Sequence, residues 1–176
     1  MTVNDPGPIS AATPAIDIAR LVGGTDPIVV RAGDSLHQLA ERAVMNPACR
    51  VLSVVDDEER LIGLIRVTDL LEDIFLKVVP EESLGTIEDV DDALRYAGHI
   101  GARTAADIMQ EPVSVMDTDT LRTIFHRLRH AGVNGLPVTD GDRRVVAYVD
   151  QLELMMAWIA STGREVLLQP HVEPPA

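Results

Sequence analysis

The sequence predicts an α/β (α+β) fold: two βαββα units packed on each other with pseudo-twofold symmetry. Three observations carry that prediction. Stretches of the chain recur at a fixed offset, and apolar runs of strand length alternate with stripes of helical period. One copy, at about 55 residues, would bury too little apolar surface to be secure alone, whereas two copies can share a core.

The recurrence is direct. Asp26-Pro27-Ile28-Val29-Val30 returns as Glu111-Pro112-Val113-Ser114-Val115, and Asp34-Ser35-Leu36 as Asp119-Thr120-Leu121, at an offset of 85. After a one-residue slip the offset is 84, where Leu52-Ser53-Val54-Val55-Asp56 faces Leu136-Pro137-Val138-Thr139-Asp140 and Arg60-Leu61-Ile62-Gly63 faces Arg144-Val145-Val146-Ala147.

In the first copy, Pro27 opens the β-branched run Ile28 to Val30, which suits a first or edge strand because proline cannot donate to a ladder. Ser35 and Gln38 have capping-box spacing, and Leu36, Leu39, Ala40, Ala43 and Val44 form a helical stripe that stops near Asn46-Pro47. Val51 to Val55 and Leu61 to Ile65 are strands joined by a polar turn over Asp56 to Arg60, and a helix follows from Thr68 to Val79. In the second copy Leu121, Ile124, Phe125 and Leu128 give the stripe, Asp140-Gly141-Asp142 the turn, Leu136 to Val138 and Val145 to Val149 the strands, and Asp150 to Ser161 the last helix. The resulting division is a frayed arm over 1–15, a first unit over 16–79, a connector over 80–103, a second unit over 104–162 and a tail over 163–176. The connector carries a helix over about Glu88 to Tyr96, closed by Gly98 and Gly101.

Composition narrows the function. Of 176 residues, 46% are apolar and 24% charged, the balance of a globular protein, while only 3% are aromatic, too few for base-stacking platforms. The net charge of −13 repels phosphate backbones and anionic headgroups, so neither nucleic acid nor membrane is an expected partner. Cys49 is the single cysteine, which excludes an internal disulfide. No apolar run approaches the roughly 20 residues of a membrane helix, and Met1 to Ala15 has no signal-peptide pattern, so a reducing cytoplasm is expected.

Ala106-Asp107-Ile108-Met109-Gln110-Glu111-Pro112-Val113, then Val133-Asn134-Gly135-Leu136-Pro137-Val138-Thr139-Asp140, together resemble the CBS domain family in its tandem form, over roughly Ile18 to Ile159. Gly63-Leu64-Ile65-Arg66-Val67-Thr68-Asp69-Leu70 resembles that family's strand-to-helix ligand motif. The first copy departs at its start, where Leu21-Val22-Gly23-Gly24-Thr25-Asp26-Pro27 lacks the methionine. The resemblance implies a regulatory, non-catalytic module that senses energy state or a related signal through AMP, ADP, ATP or S-adenosylmethionine, with no cofactor required. It further implies a homodimer, and an unidentified protein that the module regulates.

By resemblance, Asp69 accepts from ribose hydroxyls, beside Arg66 and Thr68, with Ile28, Val51, Leu52 and Ser53 around the adenine. A carboxylate in the first turn of a helix is held by the local positive dipole and offers a diol two acceptor oxygens, although it can equally serve only its own helix. Arg66 stands where the family has a hydroxyl residue; it cannot cap the helix, but it offers a forked cation to a phosphate. A second, weaker site is expected from Met109, Val113, Asn134, Leu136, Asp150 and Glu153. There Asp150 and Glu153 keep capping-box spacing but put a carboxylate where phosphate needs a donor, and Ala147 replaces the motif's glycine. The side chains of Val51 to Ser53 and Asn134 to Leu136 read better as those of core strands.

No phosphate-cradling Gly-Lys loop, Gly-x-Ser-x-Gly elbow or His-Glu-x-x-His pair occurs, so neither catalytic residues nor a metal centre are expected. His126 and His130 lie four apart without a third ligand near them in sequence, and Glu88-Asp89-Val90-Asp91-Asp92 lacks the spacing and glycine of a calcium loop. The last helix, with Leu152, Leu154, Met155, Met156, Trp158 and Ile159, is apolar on more than one side, which predicts burial against a second chain.

Overall fold

The computed structural model describes residues 9–21, 24–75 and 103–161, so the connector helix expected near Glu88 and the tail lie outside the described residues. In chain order the elements are α1 (Ala15–Leu21), β1 (Ile28–Arg31), α2 (Leu36–Met45), β2 (Val51–Val55), β3 (Leu61–Arg66), α3 (Val67–Phe75), α4 (Ala105–Ile108), β4 (Val115–Met116), α5 (Leu121–Ala131), β5 (Gly135–Thr139), β6 (Val145–Asp150) and α6 (Gln151–Ser161). Each βαββα unit is present as expected.

Both units make a three-stranded sheet of the same topology, β1-β2-β3 and β4-β5-β6. The outer pairs β1/β2 and β4/β5 are parallel, and β2/β3 and β5/β6 are antiparallel hairpins. The central strands β2 and β5 are buried at all five positions and pack on each other, which is why they read as continuous apolar runs rather than alternating ones. Ser35 caps α2, with the reciprocal Gln38 bond of the capping box in place. The helical stripes are only partly covered: Leu36, Leu39, Ile124 and Leu128 are buried, whereas Val44 and Phe125 stand exposed on the outer helix faces.

The twofold relation shows in the backbone. Arg60 bridges Arg144, its own counterpart 84 residues on, and Pro14–Thr120 and Ser35–Thr104 form an equivalent pair of bridges. Glu59 and Arg143, again counterparts, both take left-handed backbone, at φ 65° and 64°.

The helices that open each unit exchange places. α1 packs on β6, α6 and α5 of the second unit, while α4 packs on β3 and α3 of the first. Ala15 N donates to Asp119 O at 2.7 Å, and Ala105 N donates to Asp34 O at 2.8 Å. The expected division at 15/16 therefore does not coincide with the contacts: Pro14 pairs with Thr120, and Ala15 and Ile18, fully buried, complete the core of the unit to which they do not belong in sequence.

Candidate functional site

The two strand-to-helix corners, β3 to α3 and β6 to α6, are counterparts with different chemistry. At the first, Val67 N donates to Arg50 O at 3.1 Å and ties the helix start to the head of β2. Asp69 lies in the first turn of α3, its side chain 16% exposed. Its Oδ2 accepts from Arg66 Nε at 2.8 Å and from Gln110 Nε2 at 2.6 Å. The adjoining carboxylate raises the Arg66 guanidinium above its ordinary value. Thr68 faces solvent. Gln110 arrives on the segment after α4, whose backbone pairs with Leu64 in both directions at 2.8 and 3.1 Å. Gly63 lies against Met109 there: a Cβ would come 2.6 Å from Met109 Sδ, so the methionine side chain would have to shift.

At the second corner, Asp150 and Glu153 form the expected capping box, with Glu153 N donating to Asp150 Oδ1 at 2.8 Å and Asp150 N donating to Glu153 Oε2 at 3.2 Å. Glu153 Oε1 accepts from Thr25 N at 2.7 Å, on the segment entering β1. Both carboxylates are buried, at 7% and 5% exposure. The Tyr148 ring crosses Gly135, and its Oη accepts from Arg50 N at 3.2 Å. Burial pushes the Tyr148 hydroxyl well above its ordinary range. Cys49 is buried here too; desolvation, reinforced by the charges of Asp150 and Glu153, raises its thiol.

Two expected site residues change corners because the opening segments cross over. Met109, expected at the second site, lies on Gly63 at the first. Ile28, expected at the first, has its backbone beside Cys49 at the second. Val51, Leu52 and Ser53 are 0–1% exposed, and Leu136 is fully buried, because β2 and β5 are central strands; their side chains fill the core rather than line a cleft. Val113 is partly buried, and exposed Asn134 supplies its carbonyl to Gln151 N at 2.9 Å.

Gln110, Thr25, Cys49 and Tyr148 were not among the expected site residues. The signal for Tyr148 was available: where the first copy has Val51 and Leu64, the second has Gly135 and Tyr148, a small-for-large exchange. His126 and His130 stack with ring centroids 4.8 Å apart. Among the described residues no cluster of three metal-ligating side chains occurs, and no helix is long and apolar enough to cross a membrane.

The CBS domain model matches residues 13–76 and 105–159, more than half of the chain. No curated protein matches. Among solved structures, a CBS domain-containing protein from Thermotoga maritima is 23% identical with a TM-score of 0.65, covering 89% of this chain and 99% of its own. The CBS domain pair of protein MJ0100, in complex with 5′-methylthioadenosine and S-adenosyl-L-methionine, is 17% identical with a TM-score of 0.60, covering 85% and 98%. CBSX2, a CBS-pair protein from Arabidopsis thaliana, in complex with AMP, is 20% identical with a TM-score of 0.57, covering 80% and 96%. With two matched regions that fold into twofold-related units, the chain belongs to the CBS domain family as a tandem pair.

Proposed function

We propose that the chain is a regulatory module without catalytic chemistry, binding an adenosine-containing ligand at a single site, the Asp69 corner. The observation that carries this reading is the contrast between the corners. Asp69 is partly exposed and keeps an oxygen, Oδ1, that accepts from no described residue, whereas Asp150 and Glu153 are buried and committed to backbone donors. A ribose diol needs a carboxylate it can reach, and only the first corner presents one. Arg66, beside it, suits the phosphate of a nucleotide or the carboxylate of S-adenosylmethionine. Similar folds with AMP, S-adenosylmethionine or 5′-methylthioadenosine bound support the ligand class. A preference among AMP, ADP and ATP would make the module a sensor of energy state.

The test is a thermal-shift panel of AMP, ADP, ATP and S-adenosylmethionine on the wild type and on Asp69→Asn. A ligand at 100 times its Kd adds about 2.7 kcal/mol, or roughly 5–10 °C for a domain of this size. The shift should vanish in Asp69→Asn; no shift in the wild type with any of the four counts against the reading.

A second reading, a self-associating scaffold that docks on a regulated protein, draws on the outer helix faces. Phe125, Met155 and Trp158 are 53%, 52% and 64% exposed and line an apolar groove of about 510 Å³ with Ile9, Leu121 and Leu154. Dimer mass in light scattering at micromolar concentration, lost in Phe125→Glu, is the expected result, and a monomeric wild type refutes it.

A further inference from the structure

We propose that Gln110 is a built-in competitor for the ligand's ribose at Asp69, so that binding must displace its side-chain amide. This inference rests on the adenosine reading of the Asp69 corner. It starts from lone pairs. A carboxylate oxygen has room for about two donors, and Asp69 Oδ2 already accepts two, from Arg66 and Gln110. A cis-diol gripped by both carboxylate oxygens therefore needs one of those donors to leave. Arg66 is charged and three residues away on the same corner, while Gln110 is neutral and comes from a separate, exposed segment. Gln110 is the group that yields.

The 103–110 segment meets α3 at two points one helical turn apart. Gln110 holds Asp69, and Arg103 pairs with Asp73, which is buried. The start of α4 is also fixed to the first unit, by Ala105 N to Asp34 O at 2.8 Å and Ala106 N to Ala32 O at 2.9 Å. The Gln110 backbone stays paired with Leu64, so what leaves Asp69 is the side-chain amide alone, while the segment keeps its place on β3.

The experiment is calorimetric titration of wild type, Gln110→Ala and Asp69→Asn with AMP, ATP and S-adenosylmethionine, and with 2′-deoxy-AMP as a probe lacking one hydroxyl. Gln110→Ala should bind the ribose ligands about 3- to 10-fold tighter, the range one net hydrogen bond corresponds to, with little gain for 2′-deoxy-AMP and an unliganded melting point a few degrees below that of the wild type, since the bond whose loss favours binding is one the free protein makes. A general loosening of the fold would move both kinds of ligand together. Binding to wild type with unchanged or weaker binding to Gln110→Ala overturns the competitor role and leaves the adenosine reading standing. No binding to either protein by any of these ligands overturns both.

Discussion

Gly135 and Tyr148 form a steric pair whose removal can be worked out in advance. A Cβ on Gly135 would lie 2.9 Å from Tyr148 Cε2 and closer still to Cζ and Oη. The ring has nowhere to go, since Tyr148 is 1% exposed and its hydroxyl is held by Arg50 N. Overpacking of this kind costs about 1–3 kcal/mol, and the rigidity of the ring puts this case at the upper end. Replacing a strand glycine by alanine returns about 0.5–1 kcal/mol of backbone entropy. The net for Gly135→Ala is a loss of about 2 kcal/mol, or a melting point lower by roughly 4–8 °C. Tyr148→Leu alone should also destabilise, by about 2–4 kcal/mol, because it leaves a void and an unpaired Arg50 N–H. The double variant Gly135→Val, Tyr148→Leu places in the second unit the residues that Val51 and Leu64 supply at the same positions of the first. It should recover about 1–3 kcal/mol relative to the sum of the single variants Gly135→Val and Tyr148→Leu in a double-mutant cycle by urea denaturation. Gly135→Ala melting at or above wild type, or strictly additive singles, would show that the ring does not cross Gly135.

Cys49, 1% exposed with its thiol shifted upward by burial, should react with a disulfide reagent only after denaturant is added; stoichiometric labelling of the native protein would contradict its placement. Asp56 is held below its ordinary value first by Arg60 N and then by the Arg60 side chain, so its contribution is present above the unfolded value near 3.9 and is lost as pH falls through the lower folded value. Asp56→Asn should accordingly melt below wild type at pH 7, with the gap narrowing as the pH falls below about 4; a constant gap would rule out the titration as its cause. Ser35→Ala should cost about 0.5–2 kcal/mol by removing the cap of α2, read as a drop in the urea midpoint, and a midpoint unchanged from wild type would deny the capping box.

What could be read from the sequence was what is local. The α2 capping box, the hairpins of β2/β3 and β5/β6 and the Asp150–Glu153 cap each depend on spacings of a few residues, and each is present. The crossing of α1 and α4 was hidden because the offset changes there: Ala15-Ile16-Asp17-Ile18 matches Ala105-Ala106-Asp107-Ile108 at 90, whereas the flanking strands match at 85. The extra residues, in a longer α1 and the turn after it, break the alignment at the point where each segment leaves its own unit. Gln110 escaped notice for a related reason, since its partner Asp69 is 41 residues away on another element and no periodicity reports such a pair. Val51, Leu52 and Ser53 read as cleft residues from the sequence, but β2 is covered on both faces and their side chains fill the core.

The exchange of α1 and α4 also sets an order of assembly during synthesis. Ala15 and Ile18 emerge from the ribosome early, yet the surfaces that bury them, on β6, α5 and α6, are made last. At about 5–20 residues per second, the wait is on the order of 10 s, during which the first unit can close its own sheet but must leave this leading helix undocked. The nascent chain therefore acquires its finished interior only when the second unit has been made, and severing it between the units would leave each half without the helix that the other carries.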